Sequence, residues 1–270
     1  MLALKSRSNF MKKALVIVGM HRSHTSLLAR ILHQAGLFLG ADLIEGDAHN
    51  IYGHFESAAI VKFHESWILK EGLGSKWNLI DRRKARLVSQ SSDFKKEALG
   101  LLKEGFDRDQ YGWKDPRAPF FLEGWHAVLP DAKYLMVFRH PVQVVRSLVR
   151  RTKARSGKKI HPFLIHRYMN LWNETNKAIL AFYTTHTKDC ILLNSPEDLL
   201  NESTHQILKS RLDDWGFELK NLDFEGLIDH SLLRRSKEPF AIKAIYQMRS
   251  ETKQIMNDLH QTRSSSLTRH

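Results

Sequence analysis

The chain has 270 residues, of which 42% are hydrophobic and one is cysteine, which allows one large domain and excludes an internal disulfide. Lys and Arg total 42 against 29 acidic residues, a formal net charge of +13, which favours anionic partners such as a nucleotide, an acidic substrate, nucleic acid or a membrane surface. No run approaches about 18 apolar residues, so we expect no transmembrane segment and a cytoplasmic location.

The N-terminus is basic and precedes the first predicted strand. Residues 1–12 are expected to form a tail, and Met11 is a second candidate for the first residue because it leads directly into apolar sequence. That apolar run is too short for a signal peptide.

A strand, a polar loop and a helix are predicted near the start of the chain. The apolar run Leu15–Val18 ends at Gly19, and apolar residues then recur at helical spacing from Leu27. In a parallel α/β sheet such a loop lies at the carboxyl end of a strand, where ligands bind. The positive end of the following helix suits an anion.

This loop departs from the P-loop pattern G-x-x-x-x-G-K-[ST] of nucleoside-triphosphate enzymes. Gly19 fits the first glycine and Ser26 the last hydroxyl, but His24 replaces the second glycine and Thr25 replaces the lysine. The nearest cation, Arg22, lies earlier in the loop. A kinase-like enzyme that uses ATP and Mg²⁺ is an alternative that the missing lysine disfavours.

Strands and helices alternate along the rest of the chain. Helices are predicted around residues 25–35, 60–68, 82–106, 120–129, from 141 onward and 161–183, and strands at 111–114, 134–138 and 190–193. Ser195–Asp198 is predicted to open a capped helix, and the tail beyond Lys237 to form one exposed helix with a frayed end. This order predicts an α/β fold, with a central parallel sheet and helices on both faces.

Two further strand ends carry cations. Arg139 ends a predicted strand, Pro141 starts the following helix, and Ser147 lies about two helical turns later. The arginine offers a bidentate fork to an anion, and the serine adds a hydroxyl donor. Lys114 ends the strand before Asp115, and Pro116 keeps that aspartate extended.

Two candidates for a general base precede the second predicted helix. Carboxylate and imidazole side chains are the common proton acceptors of enzyme sites. Glu56 is the first candidate and His54 the second. As a structural residue, Glu56 would be an acid that stabilises the helix dipole.

In chain order, these stretches resemble motifs of the sulfotransferase family, in its bacterial and tyrosylprotein branches, over Lys13 to Leu233. The loop is similar to the 5′-phosphosulfate loop R-S-G-T-[ST], with His24 at the glycine position. The Arg139 stretch is similar to R-[DH]-P-x-x-x-x-x-S, and the Lys114 stretch to K-D-P. The resemblance implies a P-loop-like three-layer fold over residues 13–236, with 237–270 a C-terminal helix and basic tail of the same domain.

The resemblance also implies a reaction, which is transfer of a sulfuryl group from 3′-phosphoadenosine 5′-phosphosulfate (PAPS) to a hydroxyl or amine, without a metal. The residues that it assigns to binding PAPS are Arg22, Ser23, His24, Thr25, Ser26, Arg139 and Ser147. The residues that it assigns to the transfer step are Arg22, Lys114 and Glu56. The acceptor is not readable from the sequence, although a basic chain is compatible with an acidic molecule or a glycan.

Three interpretations stay open at this point. A catalytically inactive nucleotide- or glycan-binding protein is an alternative because of His24. The basic run Arg146–Lys159 is better explained as a solvated face near an anion site than as an RNA-binding surface, since no aromatic residues are interleaved. Phe63, Trp67 and Trp77 can either stack on a sugar acceptor or belong to the core.

Overall fold

The structure is a computed structural model that describes residues 12–47, 52–74, 80–157, 161–229 and 239–268. The predicted N-terminal tail therefore lies outside the described residues, apart from Lys12. Four strands form one parallel sheet in the order β2-β1-β3-β4. The strands are β1 Lys13–Gly19, β2 Gln110–Lys114, β3 Lys133–Arg139 and β4 Cys190–Ser195.

Helices occupy most of the remaining described chain. They are α1 Thr25–Gln34, α2 Ala58–Lys70, α3 Arg82–Ser89, α4 Ser92–Gly105, α5 Leu122–Val128, α6 Pro141–Ser156, α7 Pro162–Thr185, α8 Glu202–Asp214, α9 Phe224–Leu227, α10 Phe240–Gln247 and α11 Ser250–Thr268. Short 3₁₀ turns lie at 118–120, 187–189 and 198–200. No helix in the described parts of the chain is long and apolar enough to cross a membrane.

Alternation along β1 divides the interior into two cores. Val16 and Val18 face a core built with residues of α2, α4, α5, α6, α7 and α11, whereas Leu15 and Ile17 face a core built with α1, α8 and α9. Successive side chains of a strand point to opposite faces, so a fully apolar strand must be covered on both sides. The predicted three-layer α/β fold is confirmed.

The helical region predicted over residues 82–106 is two helices, α3 and α4. The break lies at Gln90 and Ser91, and α4 then runs to Gly105. Ser91 Oγ accepts a hydrogen bond from the Phe94 backbone N–H at 3.2 Å, which caps the new helix. A local cap therefore divides this region into two helices.

The segment after β4 also differs from its prediction. Asp198 begins a 3₁₀ turn, and α8 starts at Glu202 with Asn201 as its cap. Asp198 turns back instead, because its carboxylate accepts the Asn194 backbone N–H at 2.6 Å and pairs with Arg263 of α11.

The tail predicted as one exposed helix forms two helices, α10 and α11, and α11 packs on the sheet. Ile255, Met256 and Leu259 are buried, and Ser266 Oγ accepts a hydrogen bond from the Leu192 N–H of edge strand β4 at 2.9 Å. Helix α11 is polar in overall composition but has a narrow apolar stripe. Burial of this stripe is favourable because the helix covers the open edge of the sheet.

Candidate active site

The carboxyl ends of β1, β2 and β3 lie side by side and carry the predicted loop, Lys114 and Arg139. Ile17 of β1 pairs with Lys114 of β2, and Gly19 of β1 pairs with Val137 of β3. A Cβ at Gly19 would lie 2.6 Å from the Val137 carbonyl oxygen and 2.7 Å from Thr25 Cγ2, so this position requires glycine. The sheet thus brings the sequence motifs together at one edge.

The loop between β1 and α1, residues 20–24 (the phosphate loop), has an unusual backbone. Arg22 and His24 both lie in the left-handed region, with φ of 68° and 61°. For residues other than glycine this conformation costs free energy, and it is found most often in functional loops. Ser23 Oγ is buried and has no hydrogen-bond partner among the described residues.

Helix α1 begins directly after this loop, and no acidic side chain of its first turn occupies the N–H groups at its start. Its N-cap residue, His24, makes no side-chain capping hydrogen bond, and its first turn contains no acidic residue. The first N–H groups of a helix lack intrahelical partners and carry the positive end of its dipole. Together with the orphaned Ser23 hydroxyl, these donors fit a phosphate or sulfate group.

The imidazole of His24 points to the carboxyl end of β4, which lies on the far side of β3 from β1. Its Nδ1 lies 2.5 Å from Ser195 Oγ. Burial, with the charges of Arg139 and Arg22, holds the pKa of His24 well below its ordinary value of 6.5. The ring is therefore neutral near pH 7, and its contact with Ser195 ties the phosphate loop to β4.

The predicted 3′-phosphate residues adjoin the phosphate loop. Arg139 Nη1 donates to the Arg22 carbonyl at 2.9 Å, and its Nε donates to Gln143 Oε1 at 2.9 Å. Arg22 Nε donates in turn to Ser147 Oγ at 2.8 Å. Arg22, placed by sequence at the 5′ end, thus contacts the serine assigned to the 3′ end, so the two predicted subsites are continuous.

Positive charge accumulates at this place. Burial, followed by the charge of Arg22, lowers the pKa of Arg139 to about 10. Burial, with Arg151 and Arg150 of α6, also lowers the pKa of Arg22. A bound anion would relieve this repulsion, and the basic run of α6 lies close enough to contribute to it.

Glu56 and Lys114 form a salt bridge next to the loop. The lysine side chain is 2% exposed and the glutamate side chain 12% exposed, so each charge depends on the other for stabilisation. The structure therefore brings together the predicted base and the predicted lysine. His54, the second candidate base, faces Asp47, with Nε2 and Oδ2 3.7 Å apart.

Sequence reasoning missed several charged residues around this pair. Burial, followed by the charges of Arg117 and Lys114, lowers the pKa of His21, the second residue of the phosphate loop. Asp47 lies 3.7 Å from Arg151 Nη2. Only the position of Arg117 directly after K-D-P offered a signal, since the other contacts join separate elements.

Two of the aromatic residues considered for an acceptor pocket belong to the core. Phe63 and Trp67 are buried, and both pack on Phe94, with ring centroids 5.0 and 5.4 Å apart. They cannot stack on a sugar without unfolding this region. Trp77 lies outside the described residues.

A separate cavity of about 330 Å³ lies between α8 and α9. His205 stacks on Phe224 in its wall, with centroids 3.7 Å apart. The remaining lining residues are Leu199, Leu200, Glu202, Glu225 and Ile228. None of the predicted site residues lines this cavity, so it is not the site that the motifs form.

Comparison with known proteins agrees with the motifs. Residues 14–209 match the model of the sulfotransferase family, which is well over half of the chain. The chain belongs to the sulfotransferase family. A search of curated proteins finds no match.

Solved bacterial sulfotransferases share the fold of this family member. A sulfotransferase from Alicyclobacillus acidocaldarius is 14% identical, with 94% of this chain and 98% of that chain covered and a TM-score of 0.55. The sulfotransferase domain from the curacin biosynthetic pathway is 18% identical, with 93% and 98% covered and a TM-score of 0.52. The corresponding domain of the Synechococcus PCC 7002 olefin synthase is 16% identical, with 92% and 94% covered and a TM-score of 0.50.

Proposed function

We propose that this protein transfers a sulfuryl group from PAPS to a hydroxyl or amine of an acceptor. The observation that carries the proposal is the buried Glu56–Lys114 salt bridge at the strand ends beside the phosphate loop. An acid and a cation held together at an anion site are the pair that transfer to a hydroxyl requires.

The chain's own donors fit the anionic ends of PAPS. The Ser23 hydroxyl and the first turn of α1, with Thr25 and Ser26, would hold the 5′-phosphate. Arg139 and Ser147 would hold the 3′-phosphate, with Arg22 between the two groups. His24, with its left-handed backbone, occupies the N-cap position without capping these donors, and its imidazole is directed to Ser195.

PAPS supplies the sulfuryl group when it is bound. The salt bridge holds the Glu56 carboxyl group beside Lys114, where it can accept the acceptor's proton during transfer. Lys114 and Arg22 would stabilise the negative charge that develops on oxygen as the bond to the 5′-phosphate breaks. Burial of Lys114 strengthens that effect, because the local dielectric is low.

Binding and turnover experiments test the proposal separately. At a 100-fold excess over Kd, PAPS or its product 3′-phosphoadenosine 5′-phosphate (PAP) should raise Tm by about 5–10 °C. ATP with Mg²⁺ should raise it much less, because Thr25 replaces the lysine that holds outer phosphates. A larger shift with ATP would favour the kinase-like alternative.

The second experiment is a radiolabelled PAPS transfer screen across glycans, phenols and acidic peptides. Label should pass to at least one acceptor class, and Glu56→Gln should abolish most of the transfer. Strong PAP binding without turnover on any acceptor would favour a nucleotide-binding protein that has lost its activity.

A further inference from the structure

A buried polar cluster lies behind the Glu56–Lys114 pair and links α2 with the end of β2. His64 Nδ1 lies 2.9 Å from Asp115 Oδ2, and Trp125 Nε1 of α5 lies 2.8 Å from His64 Nε2. Arg117 pairs with both Asp115 and Glu65. We call these residues, Glu65 and His64 of α2 with Asp115, Arg117 and Trp125, the clasp, and all of them except Glu65 are buried.

The hydrogen bonds fix the protonation state of His64. An indole N–H can only donate, so His64 Nε2 must accept the bond from Trp125. Nδ1 then carries the single ring proton and donates it to Asp115. Both ring nitrogens are engaged in a neutral imidazole, and His64 is fully buried. The imidazole therefore links α2 with the end of β2 and with α5.

Asp115 gives the end of β2 a fixed shape. Its Oδ1 accepts the Arg117 backbone N–H at 2.7 Å and Arg117 Nη1 at 3.0 Å, while Oδ2 accepts from His64. Burial opposes its charge, but the hydrogen bond from His64 and the charge of Arg117 keep the pKa of this carboxyl well below its usual range. The turn that follows Lys114 is therefore closed by a carboxylate with its bonds satisfied.

The same two segments carry Glu56 and Lys114. Glu56 immediately precedes Ser57, the N-cap of α2, and Lys114 immediately precedes Asp115. The clasp joins these elements twice, through His64–Asp115 and Glu65–Arg117. A separate contact, Asp42 to Ser57 Oγ at 2.8 Å, holds only the start of α2.

We propose that His64 and Asp115 are positioning residues, which set the approach of Glu56 to Lys114 by locking α2 onto the end of β2. The role in catalysis rests on the proposed function. The locking of α2 onto β2 does not rest on the proposed function. It can be tested by how well Lys114 is protected from solvent, without any measurement of activity.

The first test measures this protection without any acceptor. Lys114 should react slowly with an amine-acylating reagent in the wild type, as judged by mass spectrometry, with Lys133 as internal reference. His64→Leu should raise Lys114 labelling about tenfold, because the salt bridge opens locally. His64→Asn places an amide donor near the position of Nδ1 and should restore most of the protection.

Trp67→Phe is the matched control. Trp67 lies one turn after His64 on α2, is equally buried, and its indole N–H has no partner among the described residues. This variant should lose stability and leave Lys114 protected. Equal labelling of Trp67→Phe and His64→Leu, or wild-type protection in His64→Leu, would overturn the proposal.

The second test uses turnover, once an acceptor is known. His64→Leu should reduce kcat by up to about 10²-fold through misplacement of Glu56 and Lys114, with PAP affinity within about twofold and with recovery in His64→Asn. A parallel loss of PAP affinity would contradict positioning. No turnover in the wild type would remove the proposed function while leaving the labelling result valid.

A further variant keeps the test decisive if His64→Leu does not fold. The Glu65 side chain is 49% exposed, so Glu65→Ala is tolerated and removes only the other arm of the clasp. Lys114 labelling should rise about threefold, since one of the two links is lost. Unchanged protection in Glu65→Ala would then overturn the clasp.

Discussion

The phosphate loop and the Glu56–Lys114 pair are constructed in different ways. The loop is one continuous stretch between β1 and α1, and the groups that we propose to bind an anion there are backbone N–H groups and neighbouring hydroxyls. The salt bridge joins residues 58 positions apart and relies on two elements being held at a fixed distance.

This difference teaches where each half of the site is vulnerable. Binding by a loop and a helix N-terminus is spread over several donors, so single side-chain changes should be tolerated. Transfer by one carboxylate and one ammonium has no such redundancy. Changes at the pair should therefore reduce turnover strongly, while changes at the loop should reduce affinity modestly.

Glu56→Gln should have the largest effect. The amide keeps the shape of the side chain but cannot accept a proton, so turnover should fall by about 10²–10⁴-fold. PAP affinity should stay close to that of the wild type in calorimetry. Near-normal turnover would transfer the role of base to His54 or to water, which a Glu56→Gln, His54→Gln double variant would distinguish.

Lys114→Ala should come next, with turnover reduced by about 10²–10³-fold and a smaller loss of PAP affinity. The ammonium's partner charge develops during transfer, so binding of product depends on it less. Lys133→Ala is a suitable control, because Lys133 also pairs with an acid, Asp189, at the opposite end of the sheet. A variant that binds PAP poorly but turns over normally at saturation would contradict this role for Lys114.

Arg139→Ala should weaken the binding of PAPS by about 1.5–3 kcal/mol, which is the contribution of a charge-assisted hydrogen bond. This corresponds to an increase in Kd of about ten- to 150-fold. Adenosine 5′-phosphosulfate, which lacks the 3′-phosphate, should lose much less affinity. Titrating both ligands against both proteins provides the comparison. Equal losses would remove Arg139 from the 3′-phosphate subsite.

His24→Gly should have the smallest effect on binding, within about threefold in PAPS affinity. Glycine adopts a φ of 61° without strain, and the imidazole that it removes contacts Ser195. Ser195→Ala should behave similarly. A large gain in affinity for His24→Gly would show that the histidine distorts the loop and would favour the binding-only alternative.

The buried His24 side chain should also make the stability of the protein depend on pH. The pKa of His24 lies well below its ordinary 6.5 in the folded protein, so the unfolded chain takes up this proton first as pH falls. The free energy of unfolding should therefore decrease below pH 6.5, with a limiting slope of about 1.4 kcal/mol per pH unit for one histidine. Urea titrations at pH 7.5, 6.5 and 5.5 should show a shallower slope for His24→Gly, and identical slopes would place the proton elsewhere.

The sequence by itself determined the strands, the phosphate loop and the family. Apolar runs, the glycine at position 19 and the K-D-P and R-H-P strand ends are short-range signals, because local periodicity and turn chemistry act over a few residues. They predicted the α/β architecture, and the resemblance to the sulfotransferase family assigned Glu56 and Lys114 to the transfer step before any contact between them was known.

Tertiary structure alone decided which of these side chains meet. Arg22 contacts Ser147 from 125 residues away, and His24 contacts Ser195 from 171 residues away. The clasp behind Lys114 and the burial of Phe63 depend likewise on how α2 packs against β2 and α5. Such contacts join elements that are remote in the chain, so their geometry follows from the packing of whole layers and not from any local pattern.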